Sequence, residues 1–122
     1  SGLDTFLDRW LAQPLFATLP TQAQHRAARL RNRPEGLAAS LRCCGTGTQR
    51  PLWADVAGLA TPTLAIAGGE DPKFTTLARR LTASIGPSAT MALIPGAGHS
   101  VHLERPDETA DAVLAFCADL AD

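Results

Sequence analysis

The sequence predicts an α/β fold with a parallel sheet, and three observations carry that prediction. Two short apolar runs, Thr63-Leu64-Ala65-Ile66-Ala67 and Thr90-Met91-Ala92-Leu93-Ile94, are continuous rather than alternating. Strands covered on both faces, as in parallel sheets, read this way. Each run stops at turn-forming residues, Gly68-Gly69 and Pro95-Gly96. After each comes a stretch with apolar residues at three- and four-residue spacing, the period of a helix face. The resulting order is strand, helix, strand, helix, a crossover that makes neighbouring strands parallel.

The elements follow in chain order. Leu3, Phe6, Leu7, Trp10 and Leu11 build one apolar helix face, and Pro14 ends or kinks that helix. Thr21 with Gln24 fits a capping box and predicts a helix to about Arg33, carrying His25, Arg26, Arg29, Arg31 and Arg33. A third short helix is predicted over residues 35–43, and Gly45-Thr46-Gly47-Thr48 reads as a loop. No convincing strand occurs in residues 1–50, so the chain divides into a helical segment, 1–50, and an α/β segment, 51–122. In the second segment Phe74, Leu77, Ala78, Leu81 and Ile85 mark a helix closed by Gly86-Pro87. Pro106 suits a first helical position, with Asp107 and Glu108 in the first turn offsetting the helix dipole. Val113, Leu114, Phe116, Cys117 and Leu120 are the expected core face of that last helix.

Two strands are too few for a stable open parallel sheet, and at least one long edge is left unpaired. The chain is therefore expected to be the C-terminal part of a larger α/β protein. By itself it is expected to self-associate along the exposed edge.

Composition narrows the function classes. The 122 residues are 45% apolar, ordinary for a globular chain. Eleven Lys+Arg against twelve Asp+Glu leave a net charge of −1, which argues against chain-wide nucleic-acid binding. No apolar run approaches the roughly 18 residues of a membrane span, and a basic-then-apolar secretion signal is missing. Cys43, Cys44 and Cys117 lack metal-ligand spacing, and a bridge between the adjacent pair would be strained. A reduced, cytoplasmic protein is expected, with no metal or organic cofactor.

The chemistry-bearing residues follow the strands. Gly69-Glu70-Asp71 lies after the first and Gly96-Ala97-Gly98-His99 after the second. Ligands of open α/β sheets sit beyond the carboxyl ends of the strands. An aspartate and a histidine from neighbouring strand ends are the orienting half of a nucleophile–His–Asp system, in which the carboxylate fixes the tautomer and the imidazole takes the proton. Asp71 before Pro72 also suits a plain helix cap, and His99 a plain loop histidine. Both uses stay open from the residues alone.

Residues 51–122 resemble the C-terminal part of an α/β-hydrolase. That family places its acid after a late strand and its histidine after the last, in the order Ser, Asp, His. Gly68-Gly69-Glu70-Asp71 and Gly98-His99 match the last two members. A closer resemblance rests on Phe6-Leu7-Asp8-Arg9-Trp10, Gln13-Pro14-Leu15-Phe16, Leu30-Arg31-Asn32 with Gly36, Asp71-Pro72-Lys73-Phe74, and Ala97-Gly98-His99 continued through Pro106. These strings are similar to the 2-succinyl-6-hydroxy-2,4-cyclohexadiene-1-carboxylate synthase family of menaquinone biosynthesis. The resemblance implies that residues 1–50 are a helical cap and that the reaction eliminates pyruvate with a Ser-His-Asp triad. It implies Asp71 and His99 as catalytic, Trp10 and Arg31 as substrate-binding, and a small carboxylate-bearing substrate.

The triad is incomplete in this sequence. No G-x-S-x-G occurs, and Ser1, Ser40, Ser84, Ser88 and Ser100 lack the strand-to-helix elbow. The nucleophile is expected upstream and the chain alone is expected to be inactive. Two other functions share these features, an ester or lactone hydrolase of the same fold and a non-catalytic binding module. Arg26, Arg29 and Arg33 read as a solvated face rather than an anion site. His102 reads as a supporting residue, Lys73 as solvated, and Gly45-x-Gly47 lacks the context of a phosphate loop.

Overall fold

Proline and glycine punctuate this chain, and most of its elements begin or end beside them. The computed structural model describes residues 2–121; Ser1, one of the serines weighed above, lies outside the described residues. Helix α1 spans Gly2–Leu11, and Pro14 starts a 3-10 turn, Pro14–Phe16, instead of continuing it. After a second 3-10 turn, Thr21–Gln24, come α2, Arg26–Arg29, and α3, Pro34–Cys44, with Pro34 at the helix start. A further 3-10 turn occupies Thr46–Thr48.

The second segment holds strand β1, Thr63–Gly68, helix α4, Pro72–Ile85, and strand β2, Ala89–Ile94. Helix α5, Val101–Glu104, and helix α6, Pro106–Ala121, complete it. β1 and β2 pair in parallel, from Thr63 opposite Ala89 to Gly68 opposite Ile94. Among the described residues the sheet has two strands. Helices α4 and α6 both pack on them.

Three expectations need correction. The continuous helix from Thr21 to Arg33 does not form. His25 sits between the 3-10 turn and α2 with φ 50, in the left-handed region, and no capping side chain bonds at Thr21–Gln24. The physical reason is competition for the backbone. The Gln24 carbonyl, which a continuous helix would pair with the Ala28 N–H, accepts from Arg29 Nε at 2.7 Å instead. Arg26 is drawn to α1, donating to the Asp4 carbonyl at 3.4 Å and pairing with Asp4 at 3.2 Å and Asp8 at 2.9 Å.

The strands are also less buried than expected. Only Ala67 and Gly68 of β1 and Ile94 of β2 are buried; Leu93 is exposed. The last helix likewise leaves its apolar face open. Leu114 is 66% exposed and Leu120 53%, with Val113 and Cys117 exposed too and Phe116 half-buried. Two strands cannot cover a sixteen-residue helix, and Ala112 is its partner in the core. That core is Ile94, Ala97 and Val101, with Ile66 packed against it. It lies under the carboxyl ends of the strands, so the loops that follow them start from buried residues.

Candidate active site

The turn after β1 is shaped by its cap. Asp71 precedes Pro72, whose fixed φ suits the first helical position. Its Oδ1 accepts the Phe74 N–H at 3.3 Å, an N-cap bond worth about 1 kcal/mol. The Asp71 carbonyl accepts the Thr75 N–H, and Thr75 Oγ1 donates back to the Gly68 carbonyl at 3.1 Å. The carboxylate is thereby held at the sheet rim, with the residue 8% exposed.

The loop after β2 is laid against that turn. Glu70 N–H donates to the Ala97 carbonyl at 2.8 Å and Gly69 N–H to the Ile94 carbonyl at 2.9 Å. The approach is so close that a Cβ on Gly68 would overlap the Ala97 and Gly98 carbonyls. Gly98 is closed in as well, by Thr18 Oγ1 from the helical segment and by the Glu104 carboxylate. Glycine at both positions lets the two loops touch.

His99 therefore stands beside Asp71. Its Nδ1 donates to Asp71 Oδ2 over 2.8 Å, and its side chain is 29% exposed. One Asp71 oxygen caps α4 and the other bonds the imidazole, so capping does not compete with the contact to His99. A carboxylate only accepts, so Nδ1 carries the proton toward Asp71, and among the described residues Nε2 of the neutral ring is left as an acceptor. The ring has aromatic walls. Phe74 lies 4.4 Å from it, centroid to centroid, and Phe16 meets it edge-on at 6.3 Å. Trp10 packs on Phe16 at 6.0 Å and stacks on Phe6 at 5.7 Å. An oriented imidazole with a free nitrogen and apolar neighbours can take and return a proton.

Residues 2–112 match the alpha/beta hydrolase family. The chain belongs to the α/β hydrolase family. Among similar proteins is one of Bacillus subtilis (strain 168), provisionally named a 2-succinyl-6-hydroxy-2,4-cyclohexadiene-1-carboxylate synthase. It is 38% identical over 110 residues, which are 86% of this chain and 40% of that protein. The synthase of that name from Salmonella paratyphi B is 34% identical over 106 residues, 85% of this chain and 40% of that protein. The solved structure of MenH from S. aureus superposes with a TM-score of 0.92 at 34% identity, covering 98% of this chain and 47% of that one. The chain thus spans about two-fifths of the length of the curated relatives.

Within this α/β hydrolase segment the other sequence-predicted residues are not all gathered at the Asp71–His99 pair. Trp10 connects to it through Phe16. Arg31 is exposed, and among the described residues its guanidinium makes no hydrogen bond or ion pair. Arg26 and Arg29 are occupied within the helical segment, while Arg33 is exposed. His102 is exposed on α5, and Lys73 Nζ lies 5.6 Å over the Phe74 ring. Ser100 is buried beside His99. Among the described residues no three His, Cys, Asp or Glu side chains gather to hold a metal ion, and no helix is long and apolar enough to cross a membrane.

Sequence reasoning missed Phe16 and Phe74 as walls of the imidazole. Both lay inside strings already noticed, Gln13-Pro14-Leu15-Phe16 and Asp71-Pro72-Lys73-Phe74, where an aromatic three residues after a proline-linked polar residue was the available signal.

Proposed function

We propose that this chain supplies the acid and the imidazole of a Ser-His-Asp triad in a lyase of the 2-succinyl-6-hydroxy-2,4-cyclohexadiene-1-carboxylate synthase kind. The observation that carries the proposal is the 2.8 Å bond between His99 Nδ1 and Asp71 Oδ2 at the rim of the parallel sheet. The similarity to the synthases of Bacillus and Salmonella supports the choice of reaction. In this reading Asp71 fixes the tautomer of His99, and Nε2 takes the proton of a serine hydroxyl contributed from beyond these residues. The serine oxygen then removes a carbon-bound proton of the substrate, and pyruvate leaves. Residues 1–50 form the cap, Trp10 walls the pocket, and Arg31 meets a carboxylate of a small anionic substrate in forked geometry. The resemblance alone supports the Arg31 role, whereas the Trp10–Phe16–His99 contacts also support Trp10.

The test is pyruvate release by the whole protein that carries this sequence, assayed beside hydrolysis of a neutral ester. Arg31→Ala is expected to lower kcat/KM on the dianionic substrate by roughly 10- to 100-fold, the value of a lost charge-assisted bond, with little change on the ester. Ester hydrolysis without pyruvate release would replace the lyase by a hydrolase of the same fold. The isolated 122-residue chain is expected to show neither activity and to self-associate along its open strand edges, read by light scattering.

A further inference from the structure

We infer that Glu104 is a positioning residue for the His99 imidazole, clamping the loop that carries it. The inference rests on the reading of His99 as the proton-transferring group. Glu104 Oε1 accepts the Gly98 N–H and Oε2 accepts the Ser100 N–H, both at 3.1 Å. One carboxylate thus holds the peptide N–H groups on either side of His99, each with its own oxygen. Among the described residues its side-chain bonds go to backbone only, so it acts through the loop and not on the ring.

The loop needs such a clamp. Gly96, with φ 70, and Gly98 bring no side chain of their own to pack, and glycine has wide conformational freedom. Asp71 restrains the ring through one bond, and the backbone bonds to Ile94 and Ala97 fix the loop only before Gly98, so the peptides that flank His99 need acceptors of their own. Gly98 and Ser100 are buried, so their N–H groups have no ready substitute in water. Helix α5 delivers the acceptor. Its single turn, closed by Glu104 N–H to the Ser100 carbonyl at 3.0 Å, folds the Glu104 side chain back over its own start. This is the backward-reaching half of a capping box, placed one residue later and extended to a second donor. An ionised acceptor makes both bonds stronger than a neutral one would.

The experiment compares Glu104→Gln and Glu104→Ala with His99→Asn in the whole protein. Two readouts are used, steady-state pyruvate release and the proton NMR signal of His99 Nδ1–H, assigned by its disappearance in His99→Asn. Gln keeps the shape but offers one acceptor oxygen. A drop in kcat of roughly 10-fold for Gln and about 100-fold for Ala is expected, with KM little changed, because small displacements of a catalytic group have effects of this size. The Nδ1–H signal is expected to broaden or shift in both variants while the far-ultraviolet circular dichroism stays native. If Glu104→Ala does not fold, the near-isosteric Gln variant decides. An unchanged kcat and an unmoved Nδ1–H signal overturn the clamp. So does a loss of activity with the signal unmoved. Full activity in His99→Asn instead overturns the reading of His99 itself, a failure distinct from one confined to Glu104.

Discussion

The helical segment and the α/β segment follow opposite rules. In residues 63–121 local signals and observed elements agree closely. The apolar runs became β1 and β2, Asp71-Pro72 opened α4, Gly86 ended it, and Pro106 opened α6. In residues 2–48 the first and third helices formed as the pattern required, but the second broke into a 3-10 turn, a left-handed His25 and one turn of α2. The difference lies in what competes with the local preference. In the α/β segment the backbone groups are committed to a ladder and to caps that the nearby sequence itself provides. In the helical segment Arg26 and Arg29 reach carboxylates and a carbonyl outside their own turn. Such exposed pairs are worth about 0–1 kcal/mol each, but the preference they overturn in a short, frayed helix is equally small.

The comparison can be broken at its strongest point first. Replacing His99 by Asn in the whole protein keeps the loop but removes the imidazole proposed to accept the proton. A fall in kcat on the order of 10⁴- to 10⁶-fold is expected, as when a triad member is lost, with thermal unfolding little changed. A retained rate would mean that the α/β segment is scaffold only.

Glycine gives the next contrast. Gly68→Ala drives a methyl into the Ala97 and Gly98 carbonyls and is expected to cost about 1–3 kcal/mol of stability, and activity with it, because backbone has to move. Gly36 in α3 meets nothing within 4 Å, and Gly36→Ala is expected to add about 0.5 kcal/mol through helix propensity alone. Urea denaturation of both variants measures the pair. Equal effects would remove the distinction between a tightly docked loop and a loosely held helix.

Between these two in size stands His25. A non-glycine residue in the left-handed region carries a strain of roughly 1–2 kcal/mol, which His25→Gly relieves, less the entropy that glycine loses on folding. A gain of a few tenths to about 1 kcal/mol in stability is expected, read as a rise in the midpoint of thermal unfolding. A loss would show that the continuous helix read from Thr21 is the preferred state.

Much of the candidate site is legible in the sequence, because Asp71 and His99 each follow a strand whose end is marked by glycine. Strand adjacency then brings the two loops to one rim. The aromatic walls were not legible. Phe16 and Phe74 are fifty-eight positions apart in the chain, and only the docking of the 3-10 turn at Pro14–Phe16 brings the first to His99. Glu104 was visible as a letter in a motif, but its two backbone partners depend on a one-turn helix too short for periodicity to reveal. The apolar face expected of α6 was misjudged for another reason. Apolar spacing reports which side of a helix seeks cover, and among the described residues two strands are present to provide it.

Sequence by itself determined the class of fold, the parallel pairing and the two residues that meet at the strand ends. Each of these follows from short-range chemistry: runs of apolar side chains, prolines that start helices and glycines that stop strands. Tertiary structure alone decided where the second helix breaks, which rings wall the imidazole and which carboxylate holds its loop. Those outcomes are settled by contacts between groups far apart or awkwardly placed in the chain, and local preferences of about 1 kcal/mol yield to them.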